Sequence, residues 1–238
     1  EAKLYWIKKV GVRNSVIVKF IFFLLLFPLY INSGYGRNID NQYLSNQLEQ
    51  ILNQKKYELI KNLFLEKSFK KFEKNYRDFR KKYKNISWSV QTISKNKEKV
   101  ILDVKIKSKR EIGDQIYNLD SKQIIQVETL NNKIKSYKVM NEESILKTEN
   151  SPLIIKIISP DQVFTGEKYE FNLIIEKPLD DALIASGIII IKNKDDVNIL
   201  NDQFGIKPNM SGGLFKYIQA PLEPGFQTIS AMVAHPKG

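Results

Sequence analysis

Apolar residues first fall in one unbroken block, Phe20 to Ile31 (FIFFLLLFPLYI), preceded by Lys8, Lys9, Arg13 and Lys19 and followed by Asn32-Ser33-Gly34-Tyr35-Gly36. From Asn41 to Lys84 they recur at three- and four-residue intervals: Leu44, Leu48, Ile51 and Leu52, then Leu59, Ile60, Leu63 and Phe64. The stripe resumes with Phe69, Phe72, Tyr76, Phe79 and Tyr83. A period of 3.6 lays these residues along one face of a helical region, aromatic in its second half. A break near Leu65 to Ser68 divides it, and Ser68 is placed to cap the second helix by accepting an exposed backbone N–H.

After Asn85 the period becomes two. Trp88, Val90 and Thr92 alternate with polar residues, as do Val100, Leu102, Val104 and Ile106, and strands are also predicted over 116–127 and 134–139. Lys95-Asn96-Lys97, Gly113-Asp114 and Asn131-Asn132-Lys133 suit hairpin turns. Helices followed by about four antiparallel strands predict an α+β unit in which a curved sheet wraps a helix.

Asn150-Ser151-Pro152 and Ser159-Pro160-Asp161 then punctuate the chain. Strands are predicted from Leu153 to Ile158, through Tyr169, Phe171, Leu173 and Ile175, from Ile184 to Lys192, through Leu214, Tyr217 and Gln219, and from Phe226 to Val233. Short strands at regular spacing with Pro/Gly turns predict a β-sandwich. The fold class expected is therefore α+β, with helices packed on a curved antiparallel sheet, followed by an all-β sandwich. Residues 37–149 and 150–238 are the two domains, after an amino-terminal segment 1–36. Only about six strands are evident where the second domain needs a closing one, and the sequence starts with Glu. Either the chain is a fragment, or the sandwich is incomplete or closed by another strand.

Charge sharpens the division. Residues 37–150 hold 25 Lys and Arg against 15 Asp and Glu, whereas residues 151–238 hold 8 against 10. Such an asymmetry gives only the first domain a cationic character. The chain has no cysteine and one histidine, His235. Disulfides, thiolate metal sites, cysteine nucleophiles and a lipoprotein anchor are thereby excluded, and so is a histidine cluster within one chain.

The apolar block is about 12 residues long, short of the ~20 needed to span a bilayer as a helix. A basic segment, a short apolar core and a small-residue exit make an export-signal pattern. Gly34 and Gly36 offer a weak small-x-small cut after Gly36, so a cleaved signal, an uncleaved amino-terminal anchor and a buried core helix all stay open. The first two place the remainder outside the cytoplasm, in a periplasm or thylakoid lumen, with the amino-terminal segment meeting the membrane during export.

The element order over residues 41–147, with Trp88 on the first strand and the arm KVILDVKIKSKR, resembles the nuclear-transport-factor-2-like (cystatin-like) superfamily. That resemblance implies a cone-shaped pocket, which in ketosteroid isomerases and dehydratases of the superfamily holds an Asp or Asp/His pair. No histidine is available in this region, and Asp103 and Asp120 are the carboxylates on predicted strands. The stretch SPDQVFTGEKYEFNLIIEKPL and the later SGGLFKYIQAPLEPGFQTISAMVAHPKG resemble bacterial immunoglobulin-like modules, over residues 151–238.

Lys67, Lys70, Lys71, Lys74, Arg77, Lys81 and Lys84 recur at helical spacing opposite the aromatic stripe. Lys70, Lys74, Arg77 and Lys81 are the binding candidates, and Lys105, Lys107, Lys109 and Arg110 could extend the face on a strand. Glu66, Glu73 and Asp78 partly neutralise it, which leaves a solvated face as the bland alternative. An acidic protein, a lipid surface or a polyanionic polymer would fit it. Nucleic acid is not expected, since no recognition motif accompanies the charge.

Asp180, Asp181, Asp195, Asp196 and Asp202 lack the calcium-loop spacing, and Pro208 to Gly213 lacks the lysine of a phosphate-binding loop. His235 is expected at the surface. No metal, cofactor or catalytic residue is implied. The expected function is an exported non-enzymatic binding or scaffold protein contacting an anionic partner or a small apolar ligand. A ketosteroid-isomerase-like enzyme and a membrane-tethered assembly factor are the alternatives.

Overall fold

The computed structural model describes residues 2–13, 42–96, 99–176, 184–191, 205–209 and 212–235. The apolar block Phe20–Ile31 and the five loop aspartates lie outside these residues. In chain order the elements are β1 (Ala2–Arg13), α1 (Tyr43–Gln54), α2 (Tyr57–Asn62), α3 (Glu66–Lys82), β2 (Lys84–Asn96), β3 (Lys99–Ile112), β4 (Gln115–Leu130) and β5 (Lys133–Thr148). There follow β6 (Ile155–Ile158), β7 (Gln162–Phe164), β8 (Lys168–Ile175), β9 (Ile184–Ile191), β10 (Lys207–Asn209), β11 (Gly213–Gln219) and β12 (Gly225–His235). No helix among the described residues is long and apolar enough to cross a membrane.

The helical stripe forms helices where the period placed them, and two breaks divide it. Lys55 ends α1 in the left-handed region at φ 57°. The second break is fixed by pairing: Leu65 N–H donates to Ile134 O at 2.9 Å, and Ile134 N–H to Leu63 O at 2.8 Å, so the α2–α3 corner is bonded to the start of β5. Ser68 does not cap α3 in the manner expected. It sits inside the helix, and its Oγ donates to Leu65 O at 2.8 Å and Ile134 O at 2.7 Å.

β2 to β5 form a meander through tight turns. Gly113, at φ 58°, opens the β3–β4 turn, and Asn131 and Asn132, at φ 51° and 61°, make the β4–β5 turn. Both turns use residues that tolerate positive φ, the geometry that matches strand twist. The outer edge of β2 is covered by α1, where Glu49 accepts the Val90 N–H at 2.7 Å.

The meander does not end a domain. β1 lies between β5 and β12, antiparallel to both, giving a nine-stranded sheet ordered β10-β9-β12-β1-β5-β4-β3-β2, with β7 beside β1 in parallel. β11, β8 and β6 form a separate three-stranded sheet. The expected α+β domain followed by an all-β sandwich is thus corrected. The described chain is mostly β, and one antiparallel sheet runs through both regions because the amino-terminal strand satisfies the edges of β5 and β12 together.

Successive side chains on a strand point to opposite faces, and each face of the large sheet carries its own core. On one, Leu48, Leu52, Phe69 and Tyr76 of the helices pack against Val90, Leu102, Val104 and Val127. On the other, Val10, Val12, Ile229 and Val233 pack against Tyr169, Phe171, Leu173 and Ile218. Each fully buried side chain of this kind contributes about 1.5–3 kcal/mol. His235 is buried at the end of β12, where the sequence placed it at the surface.

Candidate functional site

Between the helices and the large sheet lies a cavity of about 770 Å³, within the 300–1,000 Å³ range of small-molecule sites. Its floor is the inward alternation of β3 and β4: Leu102, Val104 and Ile106, with Leu119, Ile125 and Val127. Its roof is the aromatic stripe of α3. Phe72 stacks between Phe64 (ring centroids 4.7 Å apart) and Tyr76 (5.4 Å), and Tyr137 of β5 meets Phe64 and Phe72 edge-on at 6.4 and 6.3 Å. Trp88 closes a side, with centroids 5.9 Å from Phe79 and 6.4 Å from Tyr76. Offset and edge-to-face contacts of this kind are the favoured arrangements of aromatic pairs.

The far wall is polar. Ser121 and Ser144, opposite each other on β4 and β5, have Oγ atoms 2.8 Å apart, and Ser144 Oγ donates to Glu142 Oε1 at 3.2 Å. Ser144 spends its one proton on Glu142, so Ser121 must donate to Ser144 and keeps only acceptor capacity. Ser230 of β12 also lines the cavity. It is 1% exposed, and its Oγ has no hydrogen-bond partner among the described residues. Burial pushes the Tyr137 phenol above its ordinary pKa, although a hydrogen bond from Asn75 works the other way.

Cations stand at the rim. Lys82 and Arg110 line the cavity, and Arg110 lies 5.6 Å above the Tyr83 ring. Arg80 covers Tyr76 at 5.7 Å, and Lys71 covers Tyr137 at the same distance.

The four binding candidates from the sequence, Lys70, Lys74, Arg77 and Lys81, are all exposed on α3 and do not line the cavity. Lys70 pairs with Glu66 at 3.2 Å, Arg77 with Glu73 at 2.6 Å, and Lys81 with Asp78 at 3.9 Å. Exposed pairs of this type contribute little to stability, but they lower the charge that the row presents. Nor does the strand extend it as one face. Lys105, Lys107 and Lys109 alternate with the cavity-lining Val104 and Ile106, so they point to the other side of the sheet, while Arg110 turns toward the cavity.

Asp103 and Asp120 share that outer side. Asp103 Oδ2 is 3.8 Å from Lys122 Nζ. Asp120 lines a separate cleft of about 500 Å³ with Lys107, Lys109 and Lys147. The groups that the sequence did not single out are Lys82, Ser121, Ser144 and Glu142. The alternation Leu119-x-Ser121-x-Gln123 carried the signal, since it puts hydroxyl and amide groups on the strand face that carries leucine.

Residues 150–238 match a family described as a domain of unknown function (DUF8623). No curated protein and no solved structure matches the chain.

Proposed function

We propose that this is a non-enzymatic binding protein that holds a small amphipathic molecule, its apolar body between the α3 aromatics and the sheet. The observation that carries this reading is the cavity itself: an aromatic roof, an aliphatic floor and a few polar groups converging on one wall. A largely apolar site of this volume with a few polar groups is the usual form of a ligand pocket. Lys82 and Arg110 would receive an anionic head group at the rim. The isomerase-like alternative gains nothing from Asp103 and Asp120, since both face away from the cavity. The pattern before Gly36 that suggested export has two of its four flanking cations, Lys8 and Lys9, paired in β1 between β5 and β12, so it no longer carries an export reading. A cut after Gly36 would carry β1 away, and an anchor crossing the membrane between β1 and α1 would part β1 from β5 and β12, so neither form of the signal fits the paired strand.

Native mass spectrometry of the full chain with palmitate and with hexadecanol tests this function. A one-to-one adduct with palmitate, weakened by Arg110→Glu, is expected. Absence of adducts with both molecules would contradict it.

A further inference from the structure

We propose that β1 is an exchangeable strand, and that the gap it fills between β5 and β12 accepts the β1 of a second copy of this chain.

The gap is specific for what it holds. β1 runs antiparallel to β12 from Ala2↔His235 to Val12↔Gly225, antiparallel to β5 from Tyr5↔Leu146 to Lys9↔Glu142, and parallel to β7 from Gly11↔Gln162 to Arg13↔Phe164. Without it, β5 and β12 would each present a row of unpaired backbone groups. Along its core side the strand reads Lys8, Val10, Val12. The two valines are buried among Ile229, Phe171 and their neighbours. Lys8 is 4% exposed, and its Nζ donates to Ser159 O at 2.9 Å, 3.2 Å from Asp161 and 3.9 Å from Glu143. A basic residue followed at alternate positions by two β-branched residues is therefore what the acceptor selects. Main-chain pairing supplies the affinity, and these pockets supply the register.

β1 is joined to the other described elements only through residues 14–41. That length reaches on the order of 90 Å when extended, ample to seat the strand in a neighbouring copy. The copy in the same chain has the advantage of effective concentration, so exchange is slow and is promoted by concentrated protein and by conditions that loosen the sheet.

The absence of cysteine makes the test direct. Lys9 and Thr228 are opposed across β1 and β12 and neither is fully buried, a spacing within disulfide reach. A chain carrying both Lys9→Cys and Thr228→Cys should oxidise to an internally linked monomer, which verifies the register. Full-length single variants Lys9→Cys and Thr228→Cys, incubated together in concentrated, mildly destabilising buffer, should yield a disulfide-linked heterodimer. Lys9→Cys mixed with Tyr217→Cys, on an exposed strand position, should yield at least tenfold less. Heterodimer no more abundant than in that control would overturn the exchange. Failure of the double variant to close would overturn the site itself.

Discussion

Asn53 of α1 holds both backbone groups of Trp88: its Nδ2 donates to Trp88 O at 2.8 Å, and its Oδ1 accepts the Trp88 N–H at 2.8 Å. One amide side chain thus does what a neighbouring strand would do, at the edge of the sheet and beside the cavity. Asn53→Ala should destabilise the fold by about 1–2 kcal/mol and loosen the wall that Trp88 forms. A lower urea midpoint, together with a red-shifted Trp88 emission, would report it. An unchanged midpoint would mean that the edge does not depend on α1.

Gly213 opens β11 opposite Ile174 of β8. A Cβ there would overlap the backbone oxygen of Leu173, a contact that only a backbone shift relieves. Gly213→Ala should cost about 1–3 kcal/mol. Gly113→Ala, where a Cβ meets nothing within 4 Å but φ is 58°, isolates the cost of backbone conformation alone. Thermal unfolding of the two variants compares packing with conformational strain.

Tyr169 of β8 donates its hydroxyl to Gln227 Oε1 of β12 at 2.7 Å, and Gln227 Nε2 donates to Gln219 O at 3.1 Å, so one amide ties the two sheets together. Burial pushes the Tyr169 phenol up to about 12. The folded state therefore binds this proton more tightly than the unfolded one. Its stabilisation is complete below the ordinary tyrosine value of 10 and is lost as pH rises toward about 12, on the order of 2–3 kcal/mol in total. Base titration of the wild-type chain should show this loss, and Tyr169→Phe should flatten it.

Asp161 behaves in the opposite sense. Burial works to raise its pKa, but the Asn141 hydrogen bond, the charge and hydrogen bond of Lys8, and the charge of Lys122 together hold it below the ordinary 3.8. A depressed carboxylate stabilises the fold above its unfolded pKa, and that contribution disappears as pH falls below 3.8 and through the folded value. The side chain is largely exposed, so the effect is small. Acid unfolding should begin at lower pH in the wild-type chain than in a Lys8→Met variant, in which the carboxylate loses its cation.

Much of the first region was legible because its signals are local. Leu48, Leu52, Phe69 and Tyr76 fall on one helical face by spacing alone, and Gly113-Asp114 and Asn131-Asn132 announce their turns. What escaped is long-range. The alternation Lys8-x-Val10-x-Val12 is visible, but nothing local says that its partners are Ile229 and Glu143, more than a hundred residues away. Lying just before an apolar block, its lysines read as the basic flank of a signal. The sheet's continuity from β2 to β10 was hidden for the same reason, and the two regions looked like two domains. On the site side, the exposed cations of α3 drew attention by number, although the cations that matter to a pocket are the ones its curvature brings to the rim, Lys82 and Arg110.

Trp88 lies in the cavity wall, and Trp6 on β1 is the other tryptophan. The most direct measurement is Trp88 emission in a Trp6→Phe background during titration with palmitate. A saturable one-to-one change should appear, and it should weaken at least tenfold in Val104→Phe, which places a ring on the cavity floor while leaving the helices and sheet folded by circular dichroism. An unsaturable signal, or equal binding by the Val104→Phe chain, would contradict the cavity as the ligand site.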